Sequence, residues 1–142
     1  MFHWREQLPA IGGRAVDWGF TNKRGGSSVG DFASLNLSGH VGDDPTAVES
    51  NRAGVARSFG VSRDQLLFMN QCQGSDILVV DRPWSGEPPA VDGVVTTSTH
   101  LALAVLVADC TPVLLVDHVA GVAGAVHAGR PGMMSGIVLR AV

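Results

Sequence analysis

Three short apolar runs in the second half of the chain constrain its fold more than any other feature. They span 101–107, 112–117 and 122–127 and contain almost no charged side chains. Runs of this kind are typical of strands buried on both faces, and they are far too short to cross a bilayer. The link from Asp117 to Gly121 is short enough for a hairpin. The sequence therefore predicts a buried sheet with a hairpin near its end.

Other strands and one helix are predicted before these runs. Strand candidates lie at 65–70, 76–81 and 92–97. A helix is predicted from Asp44, which can cap it, to Gly60, which suits its end. Its buried stripe is formed by Val48, Val55 and Phe59.

A last helix is predicted to open at 129–131, with Pro131 near its first turn. Its buried side is predicted to contain Met133, Met134, Ile137 and Val138. The chain stops at Val142 without a glycine cap or polar tail. We therefore expect the single domain over 1–142 to be the N-terminal portion of a longer one.

Composition excludes several classes of protein. A length of 142 residues suits one domain, and 45% hydrophobic residues suit a globular one. The net charge of −3 gives no basic surface for nucleic acid. The first residues lack a secretory pattern, and two cysteines, Cys72 and Cys110, are no disulfide framework. A cytoplasmic protein without membrane partners is predicted, with its oligomeric state left open.

Two strand ends carry side chains suited to chemistry. Cys110 follows one apolar run with Asp109 beside it, and His127 ends another before a turn into a helix. A thiolate and an imidazole are preferred zinc ligands, and they can also form a nucleophile and base. A buried structural cysteine with a loop histidine is the third interpretation.

The segment 21–45 is a long loop rich in glycine, serine and asparagine, which is usually functional or disordered. Lys23 and Arg24 precede Gly25 and Gly26 there. Glycines let backbone N–H groups approach an anion, and two cations could hold a phosphate. A solvated turn with two exposed cations is the alternative.

Three segments together resemble one known family. They are TNKRGGSSVGDFASLNLSGHVGDDPTAVESNR from residue 21, ADCTPVLLVD at 108–117 and AVHAGRPG at 125–132. In this order they resemble the purine nucleoside phosphorylases once called multicopper polyphenol oxidases or laccase-domain proteins. Related bacterial proteins are also described as peptidoglycan-editing factors.

The resemblance implies an α+β fold of mixed β-sheets sandwiched by helices, of the four-layer α/β/β/α type. It implies phosphorolysis of purine nucleosides such as adenosine, inosine and guanosine, with adenosine deaminase activity beside it. It also implies zinc held by two histidines and one cysteine. Copper-dependent phenol oxidation is the function that the residues support least, because the five histidines are scattered.

Carried over by motif, Cys110 would be the thiolate ligand and His127 an imidazole ligand. The remaining ligand belongs to a Gln-Val-His-Gly motif, and here Gln73 stands where the histidine is expected. A glutamine amide is a poor zinc ligand, so zinc binding is expected to be weak or absent. Cys72 could not replace it in an extended segment, because neighbouring side chains point to opposite faces.

Further roles are predicted for the loop and for the residue before the cysteine. Asp109 could orient His127 or move a proton. Contacts to the nucleoside or the phosphate are predicted for Lys23, Arg24, Asn36 and His40.

Two functions of other classes stay open beside the phosphorylase. A thiol hydrolase would use Cys110 as nucleophile and His127 as base. A non-catalytic homologue or fragment would keep the fold and bind a ligand or partner, and Gln73 favours that possibility.

Overall fold

A computed structural model describes residues 1–12 and 14–142 of the chain. They form two compact units, Met1–Arg63 and Asp64–Val142. Both units combine strands with helices, which confirms the α+β class. The single domain over 1–142 stays a prediction. In the described ranges, no helix has the length and apolar character needed to cross a membrane.

The first unit opens with an antiparallel pair of strands. Strand β1 (Phe2–Ile11) pairs with β2 (Arg14–Thr21). The segment that follows is irregular apart from one 3-10 turn at Gly30–Phe32. The predicted loop at 21–45 is therefore confirmed as the connection between this hairpin and the helix.

Helix α1 (Pro45–Ser58) has the boundaries that its flanking residues predict. The Asp44 carboxylate accepts a hydrogen bond of 3.0 Å from the Thr46 amide, which satisfies one of the free N–H groups of the first turn. Gly60 follows the helix with a φ of 71°, a left-handed value that glycine adopts without strain. The buried residues of α1 are Val48, Asn51, Val55 and Ala56.

The second unit has one strand at each of the six predicted ranges. They are β3 (Leu66–Phe68), β4 (Ile77–Val79), β5 (Gly93–Thr96), β6 (Ala102–Ala104), β7 (Thr111–Asp117) and β8 (Val122–Ala128). Strands β3 and β6 form a parallel pair. The other four form one sheet in the order β4-β5-β8-β7, with β4 and β5 parallel and the remaining pairs antiparallel. The predicted hairpin is thus confirmed as β7–β8.

The three apolar runs differ in burial. Five of the seven residues of β8 are buried, because β8 lies between β5 and β7 in the sheet. Among the described residues, strand β7 has a sheet neighbour on one side alone, and its Val116 is 40% exposed. Burial on both faces is therefore wrong for β7, and also for the run at 101–107, where β6 is half-buried and Val107 is 43% exposed. An apolar run alone does not distinguish an edge strand from a central one.

The chain ends in two short helices where the sequence predicts one. Helix α2 (Arg130–Met134) and α3 (Ile137–Ala141) are separated by Gly136, whose φ of 76° interrupts the helical geometry. Ile137 is fully buried and Val138 packs against the same cluster, as predicted. Both methionines of α2 are exposed, because a helix of this length does not continue their stripe.

Candidate functional site

His127 lies near the end of β8 and is held through both its backbone and its ring. Its amide donates a hydrogen bond of 2.7 Å to the Asp92 carbonyl. Its ring nitrogen Nδ1 lies 2.7 Å from the Asp92 carboxylate oxygen Oδ1. Asp92 immediately precedes β5, the strand that pairs with β8 around Gly93 and Val126. The two residues are therefore neighbours across the sheet, and both are buried.

The Asp92 carboxylate also holds the loop 72–74. It accepts hydrogen bonds from the backbone amides of Cys72 at 3.1 Å, Gln73 at 3.0 Å and Gly74 at 2.7 Å. Burial acts to raise the pKa of Asp92. The hydrogen bonds from the His127 ring, from the Gly74 amide and from the thiol and amide of Cys72 outweigh burial, so the pKa lies below its ordinary value. Asp92 is therefore a buried carboxylate stabilised in its charged form.

Cys72 also contributes its thiol to this network. The Cys72 sulfur donates to the second carboxylate oxygen of Asp92 at 3.1 Å. This hydrogen bond to a carboxylate raises the pKa of the thiol above its ordinary value, since ionisation would bring two negative charges together. In this structure the Cys72 thiol is therefore engaged as a donor to Asp92. The strand-alternation argument against it does not apply, because residues 71–74 are a loop.

Gln73 adopts a backbone conformation that is uncommon outside glycine. Its φ is 62°, and a hydrogen bond from its own amide to Asp92 helps to fix that conformation. Its side-chain oxygen lies against the backbone of Gly129, in the space that a Cβ on Gly129 would occupy. The same space is 3.4 Å from the Cε1 atom of His127. The structure thus brings Gln73 and His127 together around Gly129.

Cys110 occupies the bend before β7 and is a half-buried free thiol. The β7–β8 register pairs Thr111 with Ala128 and Pro112 with His127. Cys110 therefore lies two residues before Pro112, the direct cross-strand partner of His127, in the bend that leads into the neighbouring strand.

Asp109 lies exposed in the same bend. The sequence predicts that Asp109 orients His127, but in the structure Asp92 makes the carboxylate contact to the ring. A role for Asp109 in moving a proton stays a prediction. Asp92 is the residue that sequence reasoning missed; the signal was a carboxylate between Val91 and Gly93 at the start of a buried strand.

These residues fit the zinc site implied by the resemblance only in part. The His127 imidazole and the Cys110 thiol are zinc ligands by type, whereas Gln73 offers a neutral amide oxygen. In the part of the chain that the structure describes, no three His, Cys, Asp or Glu side chains are grouped so that they could hold a metal. The residues present therefore supply two of the three ligands expected.

The predicted anion loop of the first unit uses most of its amides internally. The amide of Arg24 donates to the Asn22 side chain, that of Gly26 to Ser34 and that of Ser27 to Asn51, at 2.8, 3.2 and 2.7 Å. Those N–H groups are consequently not directed at an anion. Binding of phosphate here would depend on the side chains of Lys23 and Arg24, which are exposed.

Asn36 and His40 differ in their surroundings. The Asn36 amide donates to the Asp43 carboxylate at 2.9 Å and to the Ser38 carbonyl at 3.1 Å. Its oxygen accepts from the Ser38 amide at 3.0 Å. His40 is exposed. Asn36 thus shapes its own loop, and substrate contacts by either residue stay predictions.

The chain is similar to proteins of one family. A family model described as multi-copper polyphenol oxidoreductase laccase matches residues 17–142. A protein of Streptomyces griseus named purine nucleoside phosphorylase is 55% identical over 130 residues, which is 90% of this chain and 53% of that protein. One of the same name from Streptomyces coelicolor is 55% identical over 126 residues, 88% of this chain and 52% of that protein. The chain spans about half the length of these curated relatives.

Two solved structures have the same fold over most of the chain. YlmD from Geobacillus stearothermophilus has a TM-score of 0.78 and 38% identity, covering 84% of this chain and 47% of that one. A protein of Neisseria meningitidis has a TM-score of 0.82 and 32% identity, covering 97% of this chain and 55% of that one.

Proposed function

The chain belongs to the family described as multi-copper polyphenol oxidoreductase laccase. We propose that it functions as part of a purine nucleoside phosphorylase. The reaction splits adenosine, inosine or guanosine with phosphate into the free base and ribose 1-phosphate. Deamination of adenosine is a companion activity. The relatives at 55% identity carry the phosphorylase name, which supports this proposal. The observation that carries it is the buried His127–Asp92 pair beside Gln73.

His127 is the residue proposed to handle the proton. In phosphorolysis a phosphate oxygen attacks C1′ of the ribose, the bond to the purine nitrogen breaks, and its electron pair leaves with the base. The departing base takes up a proton, and an imidazole is the side chain best suited to exchange one near neutral pH. With Nδ1 bonded to Asp92, Nε2 is the nitrogen of His127 that remains. It is proposed to exchange the proton when no zinc is bound and to hold zinc when zinc is bound.

We propose that zinc binds this chain weakly, through Cys110 and His127. A bound zinc would supply Lewis acidity. Replacing the amide of Gln73 by an imidazole would complete a three-ligand catalytic set with an open fourth position. Calorimetric titration with zinc is expected to give tighter binding for Gln73→His than for the natural chain. Equal affinity would contradict a role for position 73.

The remaining parts of the proposal concern contacts and location. Lys23 and Arg24 are proposed to hold phosphate, Asn36 and His40 to contact the nucleoside, and Asp109 to move a proton. The cytoplasm is the proposed compartment. Copper has no place in the proposal, because one cysteine and one histidine do not make a multi-copper centre.

Release of free purine from nucleosides, with and without phosphate, tests the function. We expect slow, phosphate-dependent release by the natural chain, because one expected ligand is a glutamine. His127→Gln is expected to lower the rate about 100-fold or more, as removal of a proton-transferring group does. Gln73→His is expected to raise it. The Streptomyces griseus relative provides the reference under the same conditions.

Other results would support the competing functions. Release that does not depend on phosphate and is lost in Cys110→Ser would indicate a thiol hydrolase. No release by either the natural chain or Gln73→His, with an active reference, would indicate a non-catalytic homologue. An unchanged rate in His127→Gln would contradict the role given to the imidazole.

A further inference from the structure

The Asp92 carboxylate is surrounded by hydrogen-bonding groups from two separate parts of the chain, the loop 72–74 and His127. Three consecutive backbone amides and a thiol donate to its two oxygens, the His127 nitrogen Nδ1 lies 2.7 Å from one of them, and the residue has no exposed surface. An ionised carboxylate is acceptor-only and has about four lone-pair positions. A charge is retained in such a place only when its partners satisfy it. The site is therefore built around an acceptor at this position.

An acceptor-only group decides which nitrogen of the facing imidazole carries the proton. In a neutral imidazole one nitrogen donates and the other accepts. Because Nδ1 of His127 faces the carboxylate at 2.7 Å, Nδ1 carries the proton and the lone pair stays on Nε2. The backbone bond from the His127 amide to the Asp92 carbonyl aligns the residue further.

The same carboxylate also fixes the backbone beside the ring. The amides of Cys72, Gln73 and Gly74 converge on it, and Gln73 holds its left-handed conformation within that contact. Gly74 in turn approaches α2 so closely that a Cβ on Gly132 would lie 2.5 Å from the Gly74 carbonyl oxygen. The loop is therefore confined on both sides, and Gln73 is directed at Gly129 next to the ring.

We propose that Asp92 is a positioning residue, which fixes His127 as the tautomer with its proton on Nδ1 and its lone pair on Nε2, while holding the loop 72–74 beside it. The tautomer is independent of the proposed function; only the proton exchange assigned to Nε2 rests on it. The residue acts on a reaction through His127 and is not itself placed to touch substrate.

Asp92→Asn makes the proposal testable, because it keeps the shape of the side chain and replaces one acceptor oxygen by a donor. Two amides, those of Cys72 and Gly74, donate to Oδ2, whereas the Gln73 amide alone donates to Oδ1, so the new oxygen is expected at the Oδ2 position. The new NH2 group then faces the His127 ring. The imidazole alone can change from donor to acceptor, so we expect its proton to move to Nε2.

Nitrogen-15 NMR of chain labelled in histidine measures this directly. In mildly alkaline buffer we expect Nδ1 of His127 to be protonated in the natural chain and Nε2 to be protonated in Asp92→Asn. His127→Gln identifies the resonances among the five histidines. Asp109→Asn is the matched control and is expected to leave the natural tautomer unchanged. The sequence predicts that Asp109 orients His127, so this control also shows which of the two carboxylates sets the tautomer.

A natural chain with its proton on Nε2, or with both ring nitrogens protonated, would overturn the proposal. So would an Asp92→Asn chain that keeps the natural tautomer. The spectrum of the natural chain decides the tautomer by itself, so the proposal can fail even if Asp92→Asn does not fold. The measurement does not depend on purine release, so a wrong tautomer and an absent phosphorylase activity are separate results.

Discussion

In each compact unit of the chain a buried polar side chain fastens a loop, and the two side chains differ in charge and in their partners. In Met1–Arg63 it is Asn51, which accepts from the Ser27 amide and donates to the Ser28 hydroxyl and to two loop carbonyls. In Asp64–Val142 it is Asp92. Every partner of Asn51 belongs to the loop being fastened, whereas one partner of Asp92 is an imidazole with a second nitrogen. A buried polar network indicates a site when one member can still act on something else.

Removing the charged side chain is expected to have the largest effect on stability. Asp92→Ala leaves three backbone amides and a ring nitrogen without their buried acceptor. Each buried donor left without its acceptor costs about 1–3 kcal/mol, and several donors lose their acceptor at once here. Urea unfolding of the variant and the natural chain measures the difference. A loss below about 1 kcal/mol, the scale of a single ordinary hydrogen bond, would mean that water satisfies these groups and that Asp92 resembles a surface residue.

Removing the neutral side chain is expected to cost less. Asn51→Ala leaves the Ser27 amide and the carbonyls of Ser34 and Asn36 without their partner, which costs about 1–3 kcal/mol. Asn51→Asp keeps the acceptor for Ser27 but removes both donors, so it is expected to be no better than alanine. The same unfolding measurement applies. An aspartate variant as stable as the natural chain would remove the distinction between the two networks.

The free energy of unfolding is expected to depend on pH for the Asp92 network and not for the Asn51 network. This difference is smaller than the losses expected for the alanine variants. The pKa of Asp92 is lowered in the folded chain relative to an ordinary aspartate at about 3.9. Its contribution is therefore fully present above the unfolded value and is lost as pH falls through the lower, folded value. The stability difference between the natural chain and Asp92→Asn should shrink in acid.

Asn51 does not titrate, so the difference between the natural chain and Asn51→Ala should stay constant over the same range. Urea unfolding from about pH 7 to about pH 3 covers both sides of an ordinary aspartate pKa. A constant difference for Asp92→Asn as well would contradict the charged state assigned to Asp92.

The sequence predicts local structure better than it predicts long-range contacts. Helix α1 follows from Asp44, Pro45 and Gly60, because capping and turn preferences act over a few residues. The six strands follow from apolar runs in the same way. The two helices at the end were harder, since the left-handed turn at Gly136 depends on one glycine whose role its neighbours do not reveal.

The site was only partly predictable for the same reason. Cys110 and His127 stand out because each lies at the end of an apolar run. Asp92 does not, because its partners at Gly74 and His127 are 18 and 35 residues away along the chain. The conformation of Gln73 likewise depends on that distant carboxylate.

Gln71 lies at the start of the same loop as Gln73, and its side chain joins the loop to the segment at Leu106. Its amide nitrogen donates to the Leu106 carbonyl at 2.7 Å and its oxygen accepts from the Leu106 amide at 2.8 Å. This pair of bonds copies one rung of a β-ladder, two residues beyond β6. A backbone rung survives almost any substitution, since every residue but proline carries the same amide group. Here the rung depends on the side chain of one residue, so a single substitution can remove it. Gln71→Leu would detach the segment at Leu106 from the loop that carries Gln73, without removing any hydrogen bond between strands.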